Sequence, residues 1–185
     1  MTHTQHIADK FWHATALGCG DGLAPWLRDR DSLTQRIQQR CTDFTVRGVR
    51  SGLSPVAFDE SALLGISPQQ LAYSREVFLY ADGQPVIFAH SVFSRDHLCG
   101  AWSAVRTLGN RPLGALLFAH PLVERKPLHY KALHDTHPLY QKAVEVLGGP
   151  PRRLWARRSL FYLHDAPLLV TEVFLPEILR LPDLG

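Results

Sequence analysis

The 185-residue chain has no apolar run approaching the roughly 18 to 20 residues that a membrane-spanning helix needs. Its longest apolar stretch, the one ending at Leu175, is cut by Glu172. No membrane span is therefore expected. Cysteine is scarce: Cys19, Cys41 and Cys99 are an odd number without CxxC spacing, which excludes a disulfide framework and a structural zinc site and leaves reduced packing residues. The N-terminal MTHTQHIADKFWH lacks a basic segment followed by an apolar core, so no export signal is visible and a cytoplasmic location is expected. A one-signed charge is missing too. Twenty Lys+Arg stand against 17 Asp+Glu, a formal charge of +3 with the basic residues scattered, so nucleic acid is not an expected partner. There is no internal repeat and no low-complexity segment.

What is present is ordinary globular material, 45% hydrophobic and 20% charged, in a length that suits one domain over 1–185. Residues 5–17 and 24–40 predict helices, the second from Trp26, Leu33 and Ile37 at roughly helical spacing among polar residues. Residues 42–53 alternate as a strand, and 54–68 are rich in turn residues. LAYSREVFLY (71–80) and QPVIFAHSVF (84–93) flank Asp82-Gly83, a strong hairpin signal. Arg95 to Leu108 predicts a helix ending at Gly109. Residues 122–132 predict a strand and 134–148 a short helix or long loop. After the GGPP break at 148–151, residues 152–164 and 167–176 predict a second hairpin across Asp165-Ala166. Six strands joined mostly as hairpins indicate an α+β fold, a six-stranded antiparallel sheet with helices on one face.

Two charges sit where this sheet should be apolar. Strand alternation puts Tyr73, Arg75, Val77 and Leu79 on one face and Ser74, Glu76, Phe78 and Tyr80 on the other. In the last strand Val170, Glu172 and Phe174 share a face, between apolar runs that leave little sign of solvent. A buried charge is costly unless paired. Arg75 and Glu172 either pair with each other or reach solvent at a strand end, or they line a pocket. In the pocket, the arginine fork meets a ligand carboxylate and Glu172 stands at the ligand's other end.

DSLTQRI (31–37), SREVFLYADGQP (74–85), LGNRPLGALLF (108–118), WARRSLF (155–161) and LLVTEVFLP (168–176), in this order, resemble the chorismate pyruvate-lyase family. The resemblance spans Trp26 to Pro176. It implies an enzyme that splits chorismate into 4-hydroxybenzoate and pyruvate, the first committed step of ubiquinone biosynthesis, with no metal or organic cofactor. It also implies a six-stranded antiparallel sheet with helices covering an enclosed ligand site. Carried over position by position, the family's carboxylate-binding arginine falls on Arg75 and its site glutamate on Glu172, the same two anomalous charges. Ligand contacts also fall on Leu33, where a methionine can stand, and on the backbone of Leu113. The sequence departs from the family where an arginine often follows the hairpin: here His90-Ser91-Val92-Phe93-Ser94 makes one cationic contact titratable, an auxiliary role for His90. The stretch from 119 to 151 is longer than the family's shorter members require and is expected to be a surface elaboration or a modified lid. The implied partners are chorismate and 4-hydroxybenzoate alone, taken up by a monomer.

Loss of the C4 hydrogen and the C3 enolpyruvyl ether makes the ring aromatic. The resemblance therefore implies that Arg75 anchors the ring carboxylate. Glu172 then either donates a proton to the departing oxygen or holds the C4 hydroxyl while hydrogen moves within the substrate. His134-x-x-His137, with His129 and Asp135 nearby, has no HExxH spacing and belongs to a Pro-rich loop, so no metal site is expected. His97 and Cys99 lack a third member for nucleophilic catalysis and are expected to pack. Alternation spreads Arg152, Arg153, Arg157 and Arg158 over two faces, flanking an anionic site or solvated. The rival function is a non-catalytic sensor of aromatic carboxylates, because effector domains of some bacterial regulators resemble this fold. Against it, no separate helix-turn-helix module is visible.

Overall fold

Seven antiparallel strands form one open sheet in the computed structural model, which describes residues 12–182. They are β1 (Phe44–Pro55), β2 (Leu71–Ala81), β3 (Gln84–Ser94), β4 (Glu124–Arg125), β5 (His129–Leu133), β6 (Leu154–Leu163) and β7 (Ala166–Phe174). Their order is β1-β2-β3-β7-β6-β4, with β5 also pairing with β6. The stretch 122–132 supplies two strands instead of the expected one, which raises the count from six to seven. Pro127, with no N–H to donate, separates them, while Lys126 N still donates to Leu160 O at 2.8 Å.

Both hairpins follow from turn chemistry. Asp82 (φ 48°) and Gly83 (φ 78°) give two left-handed residues in succession, the geometry that matches strand twist, and glycine takes the second without steric cost. The Asp82 carboxylate also accepts from Thr42 N and Asp43 N at 2.9 and 2.8 Å, fixing where β1 begins. The second hairpin turns one residue earlier than expected, at His164-Asp165, both left-handed.

The helices are shorter than their sequence patterns suggest. Residues 24–40 form two, α1 (Ala24–Arg28) and α2 (Leu33–Gln38). Asp29 breaks them by accepting from Asp31 N and from Arg36, and Ser32 caps the second by accepting from Gln35 N. Of the helix expected over 5–17, residues 5–11 lie outside the described residues, and 12–17 are not helical: His13 bridges to Tyr130. The turn-rich stretch contains α3 (Phe58–Leu64), whose Glu60 carboxylate accepts from Ala57 N. Arg95–Leu108 is two 3-10 turns around Gly100, with Trp102 buried and donating to Ala166 O. Then come α4 (Leu113–Ala119) and α5 (Pro138–Ala143).

Both faces of the sheet are covered, not one. On the first, Val77, Leu79, Ile87 and Phe174 pack under Trp26, Leu27, Leu33 and Ile37, while Phe93, Phe161 and Leu168 pack under Trp102, Leu113 and Leu117. On the reverse face, α3 covers Ala72, Val92 and Leu169, and α5 covers Phe88 and Val173. The segment from 119 to 151 is not a surface elaboration throughout: its Leu133, Leu139, Tyr140 and Ala143 belong to the reverse core. Among the described residues, no helix is long and apolar enough to cross a membrane.

Candidate active site

Between the two apolar clusters of the first face, polar residues interrupt the sheet. Arg75 on β2 pairs across with Ser91 on β3, Ser91 with Val170 on β7, and Val170 with Ser159 on β6. One pleat further along, Ala89, Glu172 and Arg157 stand in line. Over this row α2 and α4 leave a cavity of roughly 640 Å³ with its open mouth included. The two helices close over it tightly. A Cβ on Gly114 would come within 3.1 Å of Thr34 Oγ1, so glycine is what permits this approach.

Arg75, only 3% exposed, has no carboxylate partner among the described residues. One nitrogen, Nη2, donates to Gly109 O and Arg111 O at 3.0 and 2.9 Å, so the turn before α4 holds the guanidinium in place. Burial pushes its pKa down, the sign of a charge short of compensation. Its other N–H groups meet no acceptor among the described residues, and Arg75 lines the cavity.

Glu172 does not pair with Arg75. Its carboxylate meets Arg157 Nε at 2.5 Å and keeps 19% of its side chain exposed, at the cavity wall. Arg157 itself is 1% exposed. Its Nη1 donates to the carbonyls of Trp26 and Asp29, at 3.1 and 2.6 Å, and its Nη2 is buried with no acceptor. Leu33 and Leu113, each the first residue of its helix, are buried and line the same space. First-turn N–H groups have no intrahelical acceptor, so both helices start with amides free to meet a ligand.

The structure thus brings Arg75, Glu172, Leu33 and Leu113 to one cavity and leaves His90 out of it. His90 is on the reverse face, opposite Glu76 in register, because it alternates with Ala89 and Ser91. There it meets Glu60 and Glu76, each at 3.1 Å, and Lys142 also contacts Glu76. Burial alone would lower the His90 pKa, but the two carboxylates outweigh it and raise it to about 9. Burial likewise opposes the charge on Glu76, yet His90 and Lys142 bring that carboxyl down to about 2. Among the histidines singled out for a metal, His137 instead caps α5 by accepting from Leu139 N.

Sequence reasoning passed over Arg125 and placed Arg157 only loosely. Arg157 had a signal, since it shares parity with Trp155, Ser159 and Phe161 and stands opposite Glu172. Arg125 had none, because its short strand has no alternation to read. Its guanidinium lies beside the Phe118–Phe161 pair, 5.5 and 5.3 Å from the two ring centroids. It also donates to Ser159 Oγ and Arg30 O at 3.1 and 2.6 Å.

An antiparallel sheet covered on both faces, with a half-enclosed cationic cavity under two short helices, defines a small-molecule-binding α+β protein. The same fold occurs in the PhnF C-terminal domain, TM-score 0.56 at 14% identity over 82% of this chain and 93% of that one. It also occurs in a GntR-family transcriptional regulator from Bacillus cereus, TM-score 0.54 at 12% identity over 78% and 99%. A chorismate lyase profile matches residues 13–181, and the chain belongs to the chorismate lyase family. Probable chorismate pyruvate-lyases from Nitrosospira multiformis and Aromatoleum aromaticum are 48% and 49% identical to it. The first aligns over 92% of this chain and 95% of its own length, the second over 86% and 88%.

Proposed function

We propose that this chain is a chorismate pyruvate-lyase, a cytoplasmic single-domain monomer that supplies 4-hydroxybenzoate to ubiquinone biosynthesis. The observation that carries the proposal is Arg75: a buried guanidinium with no carboxylate of its own, opening on a cavity in a family whose substrate and aromatic product are carboxylates. Arg75 takes the ring carboxylate, assisted by the amides of Leu33 and Leu113 at the two helix starts. Glu172 takes the C4 hydroxyl. Its ion pair with Arg157 makes it an acceptor, which favours holding that hydroxyl over giving a proton to the leaving oxygen.

The chemistry then needs little besides position. The C3–O bond to the enolpyruvyl group breaks and the C4–H bond breaks. The hydrogen passes to the enolpyruvyl methylene, pyruvate leaves, and the ring becomes aromatic. α2 and α4 cover the cavity from one side. The charged residues around the cavity, Arg75, Arg125 and Arg157 against Glu172 and Asp31, repel a divalent cation, so protein groups alone are assigned to the reaction. A sensor of the regulator kind is the less favoured reading, since that likeness rests on fold at 11–14% identity whereas the relatives named as lyases reach 40–49%. Incubating purified protein with chorismate, with and without a chelator, tests the proposal. It expects pyruvate and 4-hydroxybenzoate in equal amounts in both samples. Unchanged chorismate refutes it.

A further inference from the structure

Three guanidiniums line the cavity, and one aromatic carboxylate uses one of them. Arg75 satisfies that carboxylate from β2, yet Arg125 and Arg157 line the same cavity from β4 and β6. Arg157 keeps Nη2 buried with no acceptor, although its other nitrogens are fully engaged. Arg125 spends its bonds on a hydroxyl and a carbonyl and has no carboxylate partner among the described residues. Burial lowers its pKa; the nearby Glu172 charge works against that shift and the neighbouring Arg157 charge adds to it. Arg125, with no carboxylate of its own among the described residues, beside Arg157, whose Nη2 has no acceptor there, offers an anion donors that the protein leaves unused.

Its position says which anion. β2 and β6 are three strand spacings apart, roughly 14 Å between backbones, with Glu172 of β7 between them. A ring held by its carboxylate at Arg75 and by its hydroxyl at Glu172 therefore directs a substituent next to that hydroxyl toward β6. Resting on the lyase reading above, we infer that Arg125 and Arg157 form a second carboxylate subsite, specific for the side-chain carboxylate that the substrate carries and the aromatic product lacks. The subsite fixes the enolpyruvyl ether in one conformer. It also gives the substrate a second charge-assisted contact, which is lost with pyruvate and which the aromatic product does not make.

Calorimetry with two ligands tests this. One is 4-hydroxybenzoate; the other is 3-(1-carboxyethoxy)-4-hydroxybenzoate, an unreactive aromatic dianion with its second carboxylate where the substrate has one. R125M keeps an unbranched apolar chain beside Phe118 and Phe161 but drops the charge. It is expected to lose tenfold or more in affinity for the dianion and to bind 4-hydroxybenzoate within twofold of wild type. On the wild-type protein alone, methyl esterification of the side-chain carboxylate is expected to cost tenfold or more, a result independent of how any variant folds. Equal losses for both ligands in R125M, or no penalty for the ester, overturn the second subsite. A wild-type protein that turns over chorismate yet gives those results leaves the lyase reading standing. One that neither turns over chorismate nor binds either ligand refutes the lyase reading itself.

Discussion

Arg75 contributes to affinity in proportion to how little else it contacts. Its protein partners are two carbonyls, so removing it leaves no buried carboxylate stranded and the fold loses only those two bonds. Arg75→Ala is expected to lose about 2–5 kcal/mol of 4-hydroxybenzoate affinity, the scale of a buried charge-assisted contact, and Arg75→Lys to recover part of it. Titration calorimetry on folded variants measures both. For Glu172 the ion pair with Arg157 sets the expectation. Glu172→Gln keeps an acceptor oxygen, so its single-turnover rate should stay within about tenfold of wild type. A fall of about 10²-fold or more at unchanged product affinity would assign proton donation to Glu172 instead. His90 acts on stability, not on the site. Its folded pKa of about 9 lies above the ordinary 6.5, so its contribution is complete below pH 6.5 and is lost as pH rises through about 9. That contribution is on the order of 3 kcal/mol. Glu76 has the opposite sign: its share holds above pH 4.5 and disappears as pH falls toward about 2. Urea unfolding of His90→Gln across pH 6 to 9.5 should show a flatter alkaline limb than wild type. Parallel limbs would disconnect His90 from alkaline stability.

The two short helices over the cavity depend on Gly114. Gly114→Ala improves helix propensity by about 1 kcal/mol, yet its Cβ presses on Thr34. Thermal stability should therefore hold or rise while 4-hydroxybenzoate dissociates several-fold faster, and adding Thr34→Ala should restore the slower rate; stopped-flow release measures both. At this scale the sequence was most legible where side-chain chemistry acts locally. Asp82-Gly83 marked the first hairpin within a residue, and alternation along β2 put Arg75 and Glu76 on the correct opposite faces. The same alternation extended to β3 would have put His90 beside Glu76, away from the cavity. Helices were legible as apolar patterns but not in length. Asp29 and Ser32 cut one pattern into α1 and α2 by hydrogen-bonding to nearby backbone, and Gly100 reduced another to 3-10 turns. The Asp and Ser signals were present in the sequence, but regular apolar spacing obscured them.

Across the whole molecule, what positions the site is strand order. β3 pairs with β7 instead of with the strand that follows it, which brings Glu172 to within one strand of Arg75 and places Arg157 just beyond. Hairpin signals do not reveal such a crossover. The backbone cradle that the carbonyls of Trp26, Leu27 and Asp29 give Arg157 lay outside what composition and spacing convey. The chain's two charges on apolar faces were legible because a buried charge is rare enough to need a reason. The shared fold of lyases and regulator effector domains makes the central question catalytic: whether this cavity only holds an aromatic carboxylate or also makes one. Mixing wild-type protein in excess over chorismate and quenching on the millisecond-to-second scale answers it, because a single turnover does not depend on product release. The account predicts one pyruvate and one 4-hydroxybenzoate for each chorismate consumed; chorismate recovered intact from the saturated protein would contradict it.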